Sequence, residues 1–135
     1  MQPHRTKHGR RRGNAAVELA ITVPIMATII FGSVEVCSLI HTKQALLSAA
    51  YECSGVAINS MGTDADVQAR MTEILTQREI VGGSVTTTPA SIENIRRGTQ
   101  ITVRVSAPAA RNSLVALPVY GATIIEAKSV MLKEL

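Results

Sequence analysis

The chain has 135 residues, of which 18% are charged, and a formal net charge of +4. Five of its fourteen Lys and Arg residues precede residue 14, and beyond that point nine basic residues stand against ten acidic ones. The positive charge therefore belongs to an N-terminal tail and not to a folded surface. With one Phe, two Tyr and no Trp, the chain also has few side chains that could stack on bases, so nucleic-acid binding is disfavoured.

A long apolar stretch follows the basic tail. Residues 19–34 contain no charge, and with a single acid at Glu35 the apolar character continues to Ile40. A segment of this length is enough to cross a hydrocarbon layer of about 30 Å as a helix. We predict a basic cytoplasmic leader over residues 1–13, a transmembrane helix over 14–40, and an extracytoplasmic domain over 41–135. The bilayer partner would be the cytoplasmic (inner) membrane, crossed once, because basic residues keep their end of a span inside.

A cleavable secretory signal peptide is an alternative interpretation of the same start, since it too has a basic beginning and an apolar middle. No clear small-x-small cleavage site ends the apolar stretch, and the stretch runs directly into a helical pattern. These two features favour the uncleaved span.

Two residues are unusual for a plain anchor, Glu18 and Pro24. A carboxylate in a membrane helix costs on the order of 2.5–3.5 kcal/mol, so Glu18 needs a cation or a proton. Pro24 offers no N–H to the carbonyl of Ala20, which favours a kink or a neighbouring group that satisfies it. Small side chains also recur at multiples of four residues, at Ala16, Ala20, Thr28 and Gly32. This spacing fits a helix-packing face and ordinary use of small residues equally well.

The region beyond the span has mixed helix and strand patterns. We expect the first helix to continue to about Ser60, with one apolar stripe formed by Leu46, Leu47, Ala50, Cys53, Ser54, Ala57, Ile58 and Met61. A second helix, capped by Thr63 or Asp64 and finished before Gly82-Gly83, would carry Val67, Met71, Ile74 and Leu75 on one face. Strands are predicted over 84–88, 99–106 and about 122–132, and Pro108 and Pro118 frame the loop before the last. The expected fold is α+β, with three or four antiparallel strands packed against the long helix.

Three further residues of the predicted long helix have side chains that could take special roles. Glu35 lies about 25 Å along the helix from Glu18, so we expect it to be solvated at the far interface. Cys37 and Cys53 would lie about 24 Å apart on one helix, too far to form a disulfide with each other. They are expected to be small apolar fillers, although an intermolecular bridge or a lipid attachment remains open.

Catalysis is not expected, and neither a cofactor nor a metal site is predicted. Two of the three histidines, His4 and His8, lie in the basic tail, and His41 lies at the membrane edge. None is placed to join a triad or a metal cluster.

The segment RRRGNAAVELAITVPIMATIIFGSVEV resembles the N-terminus of TadE-like proteins, which are pilin-like components of tight-adherence (Flp-type) pilus and secretion systems. The resemblance rests on the basic run that ends at Gly13, the acid at Glu18, Pro24, the Phe31-Gly32 pair and Glu35. It covers about 30 residues closely and the strand-rich region only loosely.

The resemblance implies a minor pilin or pseudopilin processed by a prepilin peptidase between Gly13 and Asn14. Glu18 would become the fifth residue of the product and pair with the new α-amino group of an adjacent subunit. Ala20, Pro24 and Gly32 would belong to the helix-packing surface, and the partners would be the peptidase, other pilin-like subunits and the secretion platform. The alternative is an uncleaved single-span scaffold or adaptor of an envelope complex.

Overall fold

The structure is a computed structural model, and it describes residues 9–115 and 121–133, with side chains from residue 14 onward. Residues 1–8 of the predicted leader and Pro118 of the predicted loop lie outside the described residues. The elements in chain order are α1 (Gly9–Ile58), α2 (Asp64–Gln77), β1 (Ser84–Thr88), β2 (Gln100–Pro108), a short 3₁₀ turn (Ala109–Arg111) and β3 (Ile124–Leu132). The α+β class predicted from the sequence is confirmed.

The chain divides into two compact units, one ending at Val34 and one beginning at Glu35. The first consists of the N-terminal part of α1, whose large apolar side chains are exposed, among them Leu19, Ile21, Ile29, Ile30 and Phe31. From Asn14 onward the helix is long and apolar enough to cross a membrane. It is therefore a candidate membrane span, since an unbroken apolar surface of this extent is unusual in water.

The hydroxyl groups of residues 14–34 are satisfied by the helix itself. Thr22 Oγ1 donates to the Glu18 carbonyl at 2.7 Å, Thr28 Oγ1 to the Pro24 carbonyl at 2.9 Å, and Ser33 Oγ to the Ile29 carbonyl at 2.8 Å. Each bond joins residues four apart, on the same turn of the helix. These polar side chains therefore need no water, which suits a helix surrounded by lipid.

The second unit contains an antiparallel sheet in the order β1-β2-β3. Val105 of β2 pairs with Val85 of β1 and with Ala127 of β3, so these side chains share one face. That face is buried along β2 at Ile101, Val103, Val105 and Ala107. The alternation predicted for this strand is confirmed, and the described sheet has three strands.

The core of the second unit forms between the buried face of the sheet and the two helices. Beyond β2 and Ala127, it contains Ala45, Leu46, Ala49, Ala50, Cys53 and Ala57 of α1, Val67, Met71, Ile74 and Leu75 of α2, and Ile80 and Ile92 from loops. The many alanines of α1 permit close approach of the backbone to its neighbours. All four residues predicted for the buried face of α2 are confirmed.

Two members of the stripe predicted for α1 are wrong. Leu47 is 52% exposed and Met61 is 86% exposed. Leu46 and Leu47 point about 100° apart on a helix, so that only one of the two can face the sheet, and Leu46 does. Met61 lies beyond the end of α1 at Ile58 and no longer follows its periodicity.

The start of α2 is fixed by a capping box. Thr63 Oγ1 accepts a 3.2 Å hydrogen bond from the Asp66 backbone N–H, and Asp66 Oδ2 accepts a 3.0 Å bond from the Thr63 backbone N–H. The prediction of Thr63 as a cap is confirmed. After α2, Gly82 has φ +75°, and a Cβ at Gly83 would lie 2.1 Å from Leu75 Cδ1. The turn into β1 therefore favours glycine at Gly82, while a side chain at Gly83 would displace the end of the Leu75 side chain.

One edge of the described sheet is formed by β3. The N–H of Ala109 donates to the Thr123 carbonyl at 2.9 Å, and the N–H of Lys133 donates to the Thr99 carbonyl at 2.9 Å. The backbone N–H and C=O groups of the odd-numbered residues of β3 therefore form hydrogen bonds with β2. Those of the even-numbered residues point to the outer edge of the sheet. Lys43 Nζ of α1 donates to one of them, the Glu126 carbonyl.

Candidate functional site

The predicted cleavage and pairing residues lie in the first unit of the structure. Gly13 and Asn14 are inside α1, which begins four residues before Gly13, and Asn14 and Glu18 are both exposed. Residues four apart lie on one face of a helix, so Asn14 and Glu18 share a face. Among the residues whose side chains are described, none forms an ion pair with Glu18. The Glu18 carboxylate is therefore open to a group from outside these residues.

The three other predicted packing residues also lie in α1, where Ala20 and Pro24, four residues apart, share a face that does not include Glu18. Ala20 and Pro24 are exposed, and a Cβ added at Gly32 would meet nothing within 4 Å. No neighbour in the described structure therefore requires a glycine, rather than a larger residue, at position 32. Such a face allows close approach of a second helix.

Glu35 corrects a prediction, because it is buried and not solvated at the surface. Its side chain is 1% exposed. Its Oε1 accepts a 2.5 Å hydrogen bond from Ser113 Oγ, and its Oε2 accepts a 3.1 Å bond from the Val115 backbone N–H. A buried carboxylate without such donors would be costly. Glu35 therefore holds the loop that follows the 3₁₀ turn.

Asn112 extends this arrangement to two further segments. Its backbone carbonyl accepts a 2.8 Å bond from Ser38 Oγ of α1. Its side chain accepts from the Val81 N–H at 2.8 Å and donates to the Val81 carbonyl at 3.0 Å and the Pro108 carbonyl at 2.9 Å. We call Glu35, Ser38, Asn112, Ser113 and Val115 the Glu35 cluster. It joins α1, the end of β2 and the loop after α2 at one end of the domain.

The sequence contains a pattern that indicates the burial of Glu35. Glu35 precedes the buried Thr42 by seven residues and Leu46 by eleven, so it continues the buried face of α1 toward the N-terminus. A carboxylate on such a face requires donors from another part of the chain. The polar pair Asn112-Ser113, next to an apolar run, was the other half of that pattern.

Lys133 was also missed by the sequence reasoning. It is nearly buried, and its Nζ donates to the Ala57 carbonyl at 3.0 Å and to the Asn59 carbonyl at 2.7 Å. These carbonyls belong to the end of α1, where backbone acceptors lack helical partners and the helix dipole favours a cation. Lys133 therefore ties the end of β3 to the end of α1.

Charged groups on α2 have shifted pKa values with identifiable causes. The Thr63 hydroxyl and then the Thr63 backbone N–H lower the pKa of Asp66 below its usual value, because both stabilise the carboxylate. Glu73 and then Glu52 raise the pKa of Arg70, which bonds to both. Since Glu52 belongs to α1, Arg70 connects the two helices at the surface.

The two cysteines differ from one another. Both are free thiols, as predicted for residues too far apart to bridge. Cys53 lies in the core of the domain, where burial and then the nearby Glu52 raise the pKa of its thiol to about 11. Cys37 is exposed, so the prediction that it fills an apolar space is wrong.

The family model described as TadE-like protein matches residues 13–54. Residues 13–54 are therefore a TadE-like segment. This TadE-like segment includes every predicted cleavage and packing residue and also Glu35, and it ends within the buried part of α1. No curated protein and no solved structure matches the chain significantly. The strand-rich region lies outside the matched residues.

The TadE-like match indicates involvement in tight-adherence (Flp-type) pilus systems, whose TadE-like components are structural proteins and are not known as enzymes. Among residues 14–115 and 121–133, no group of three or more His, Cys, Asp and Glu could hold a metal ion. The chemistry that these side chains offer is pairing and packing: an exposed carboxylate on an apolar helix, and a buried carboxylate that fastens a loop.

Proposed function

We propose that the chain is a minor pilin or pseudopilin-like subunit for assembly of a tight-adherence (Flp-type) pilus or a related secretion system. The observation that supports this most is the exposed Glu18 carboxylate on the apolar, TadE-like part of α1. The helix would cross the cytoplasmic membrane once, with its basic start inside and the domain outside. Its partners would be other pilin-like subunits and the secretion platform.

The role of Glu18 follows from the cost of its charge. A carboxylate among lipid chains is unfavourable unless a cation lies close by. Cleavage after Gly13 would create an α-amino group on Asn14, and the same group of a neighbouring subunit could reach Glu18 when two helices pack. Pairing would then make the packed state of α1 more favourable than the isolated one.

Processing by a prepilin peptidase requires access to the bond between Gly13 and Asn14. This bond lies inside α1, four residues from its beginning at Gly9, so the first turn of the helix would have to unwind. Gly13 assists, because glycine in a helix is about 1 kcal/mol less favourable than alanine. The ends of helices also open more readily than their interiors.

Mass spectrometry of the membrane-isolated protein tests this proposal, with an active and an inactive prepilin peptidase in the same host. The active enzyme should give an N-terminus at Asn14, and the inactive enzyme should leave Met1. Gly13→Leu should block the cut, whereas the matched variant Gly9→Leu should be processed normally. An intact Met1 end beside an active peptidase would contradict processing.

The second candidate is an uncleaved single-span scaffold or adaptor of an envelope complex. The helical conformation of Gly13 and Asn14 favours it, since a folded helix protects its own peptide bonds. In that case Glu18 would pair with a side chain of a partner helix and not with a new N-terminus. The same mass measurement separates the two candidates.

A further inference from the structure

Two surfaces of the domain carry opposite charge, and the first of them lies where α1 meets β3. Lys43 and Leu47 of α1 lie there beside Arg104 of β2 and Lys128 of β3. Arg104 pairs with Glu126 at 2.6 Å, and Glu126 is the one carboxylate among the described residues that line this surface. Three cations therefore stand against a single anion. We call Lys43, Leu47, Arg104, Glu126 and Lys128 the basic edge.

The second surface is a groove of about 440 Å³ between α1 and α2. Glu52 and Gly55 of α1 line it on one side, and Asp66 and Arg70 of α2 line it on the other. Arg70 bonds both to Glu52 and to Glu73, so that three carboxylates stand against one guanidinium. We call Glu52, Gly55, Asp66, Arg70 and Glu73 the acidic groove. Its charge is opposite in sign to that of the basic edge.

The two surfaces also match in shape. Leu47 is 52% exposed, so a large apolar side chain projects from the basic edge. A Cβ added at Gly55 would meet nothing within 4 Å, so the wall of the acidic groove is open at that position. An apolar side chain that leaves water in such a groove stabilises a contact, and opposite charges around it fix the orientation of the two partners.

The basic edge and the acidic groove lie on opposite sides of α1. Lys43 and Glu52 are nine residues apart, about two and a half helical turns, so their side chains point in opposite directions. Lys43 accordingly reaches the Glu126 carbonyl of β3, and Glu52 reaches Arg70 of α2. One copy of the chain therefore presents both surfaces and cannot bring them together within itself.

We propose that the basic edge of one copy binds the acidic groove of a second copy, with Leu47 of the first against Gly55 of the second. This inference rests on the proposed role of the chain as an assembling subunit, and it makes a second copy one of its partners. Opposite charge favours this orientation over a contact between two like surfaces. After two copies bind, one acidic groove and one basic edge stay open, so further copies add in the same sense.

Disulfide cross-linking of the full-length protein in host membranes tests this contact. Cys37→Ser and Cys53→Ala remove the native thiols, and Leu47→Cys or Gly55→Cys supplies a new one. When both variants are produced in one host, oxidation should give dimers, whereas either variant alone should give several-fold fewer. Leu114→Cys is the matched control, because Leu114 is exposed and belongs to neither surface. Together with Gly55→Cys it should give no more dimers than Gly55→Cys alone.

Charge reversal provides a second measurement of the same contact. Lys128→Glu, added to the Leu47→Cys protein, should lower the yield of dimers several-fold, because it places a carboxylate against the acidic groove. Glu73→Lys, added to the Gly55→Cys protein, should restore much of that yield. A yield that Lys128→Glu leaves unchanged would contradict the role of the opposite charges. Equal yields from the mixture and from either single variant, or no dimers from the mixture, would overturn the contact.

The same cross-linking, carried out with an active and with an inactive prepilin peptidase, separates this contact from processing. Dimers of the mixture that retain an intact Met1 end beside the active enzyme would support the contact and contradict processing. Protein with an Asn14 end that assembles and gives no such dimers would overturn the contact and leave the proposed function standing.

Discussion

The Glu35 carboxylate accepts a 3.1 Å hydrogen bond from the backbone N–H of Val115, a residue 80 positions further along the chain. This bond joins Glu35, the first residue of α1 in the second unit, to the loop that precedes β3. The Glu35 carboxylate thus gives the loop an acceptor on the face of α1 that also carries the buried Thr42 and Leu46. The contact also makes the part of the TadE-like segment from Glu35 onward belong to the fold of the domain.

Replacing Glu35 with Ala should destabilise the domain. The N–H of Val115 would lose its acceptor inside the protein, and the free energy of unfolding should fall by roughly 1–3 kcal/mol. The control is Glu93→Ala, which removes an exposed carboxylate and should change stability by less than about 0.5 kcal/mol. Chemical denaturation of the full-length protein in detergent measures both, and equal effects would show that Glu35 has no special role.

Lys133→Met should weaken the connection between β3 and the end of α1. Methionine retains most of the apolar length but cannot donate to the carbonyls of Ala57 and Asn59, so a loss of roughly 1–3 kcal/mol is expected. Lys128→Met is the matched control, because Lys128 is an exposed lysine of β3, the strand that ends just before Lys133. Hydrogen exchange should show faster opening of the last turn of α1 in Lys133→Met alone. Unchanged exchange there would mean that Lys133 does not cap the helix.

The capping box predicts how the stability of α2 depends on pH. The pKa of Asp66 is lower in the folded protein than its ordinary value of 3.8, so its contribution is present above that value. It is lost as the pH falls through the ordinary value toward the folded pKa, because the unfolded chain then binds the proton first. As the pH is lowered from 5, the free energy of unfolding should therefore fall less for Asp66→Asn than for wild type. Urea denaturation at each pH measures it. Thr63→Ala, which removes the hydroxyl that stabilises the carboxylate, should show the same flattening, and parallel curves for all three proteins would contradict this origin.

Glu18→Gln tests the proposed pairing on the membrane helix. The amide is uncharged, so the variant should insert into the membrane as well as wild type but should assemble poorly, since the attraction to an α-amino group is lost. Membrane fractionation measures the first property, and pilus assembly in a host with the complete system measures the second. Glu93→Gln, an exposed acid of the domain, serves as the control and should assemble normally. Wild-type assembly of the Glu18 variant would remove its proposed role.

Much of the fold could be predicted because its signals are local. Thr63 and Asp66 stand three residues apart before an apolar periodicity, which identifies the start of α2. The alternation at Ile101, Val103 and Val105 likewise identifies β2 and its buried face. In each case neighbouring residues carry the information, so the element and its inner side follow from a short window.

Leu47 and Glu35 could not be placed in this way, for two different reasons. Leu47 satisfies the three- and four-residue spacing as well as Leu46 does, and only the direction of the sheet decides between them. The partners of Glu35 lie near residue 114, so no window around Glu35 contains them. Contacts between distant parts of the chain set both outcomes.

The candidate site at the N-terminus was identified from the order of its residues. The TadE-like match confirms that resemblance over residues 13–54. The face shared by Asn14 and Glu18 follows from helical geometry alone. The cut after Gly13 and the pairing of Glu18 depend on a second molecule, and both stay predictions.

The contact between Lys43 and the Glu126 carbonyl bears on how the edge strand β3 behaves when many copies of the protein lie close together. A nine-residue edge strand such as β3 is a template on which further strands can add, and this hazard grows when many copies gather in one membrane patch. The ammonium group of Lys43 occupies an acceptor in the middle of that edge and places a charge where an incoming strand would have to lie. The same helix that would bring subunits together through its apolar part thus protects their sheets from polymerising.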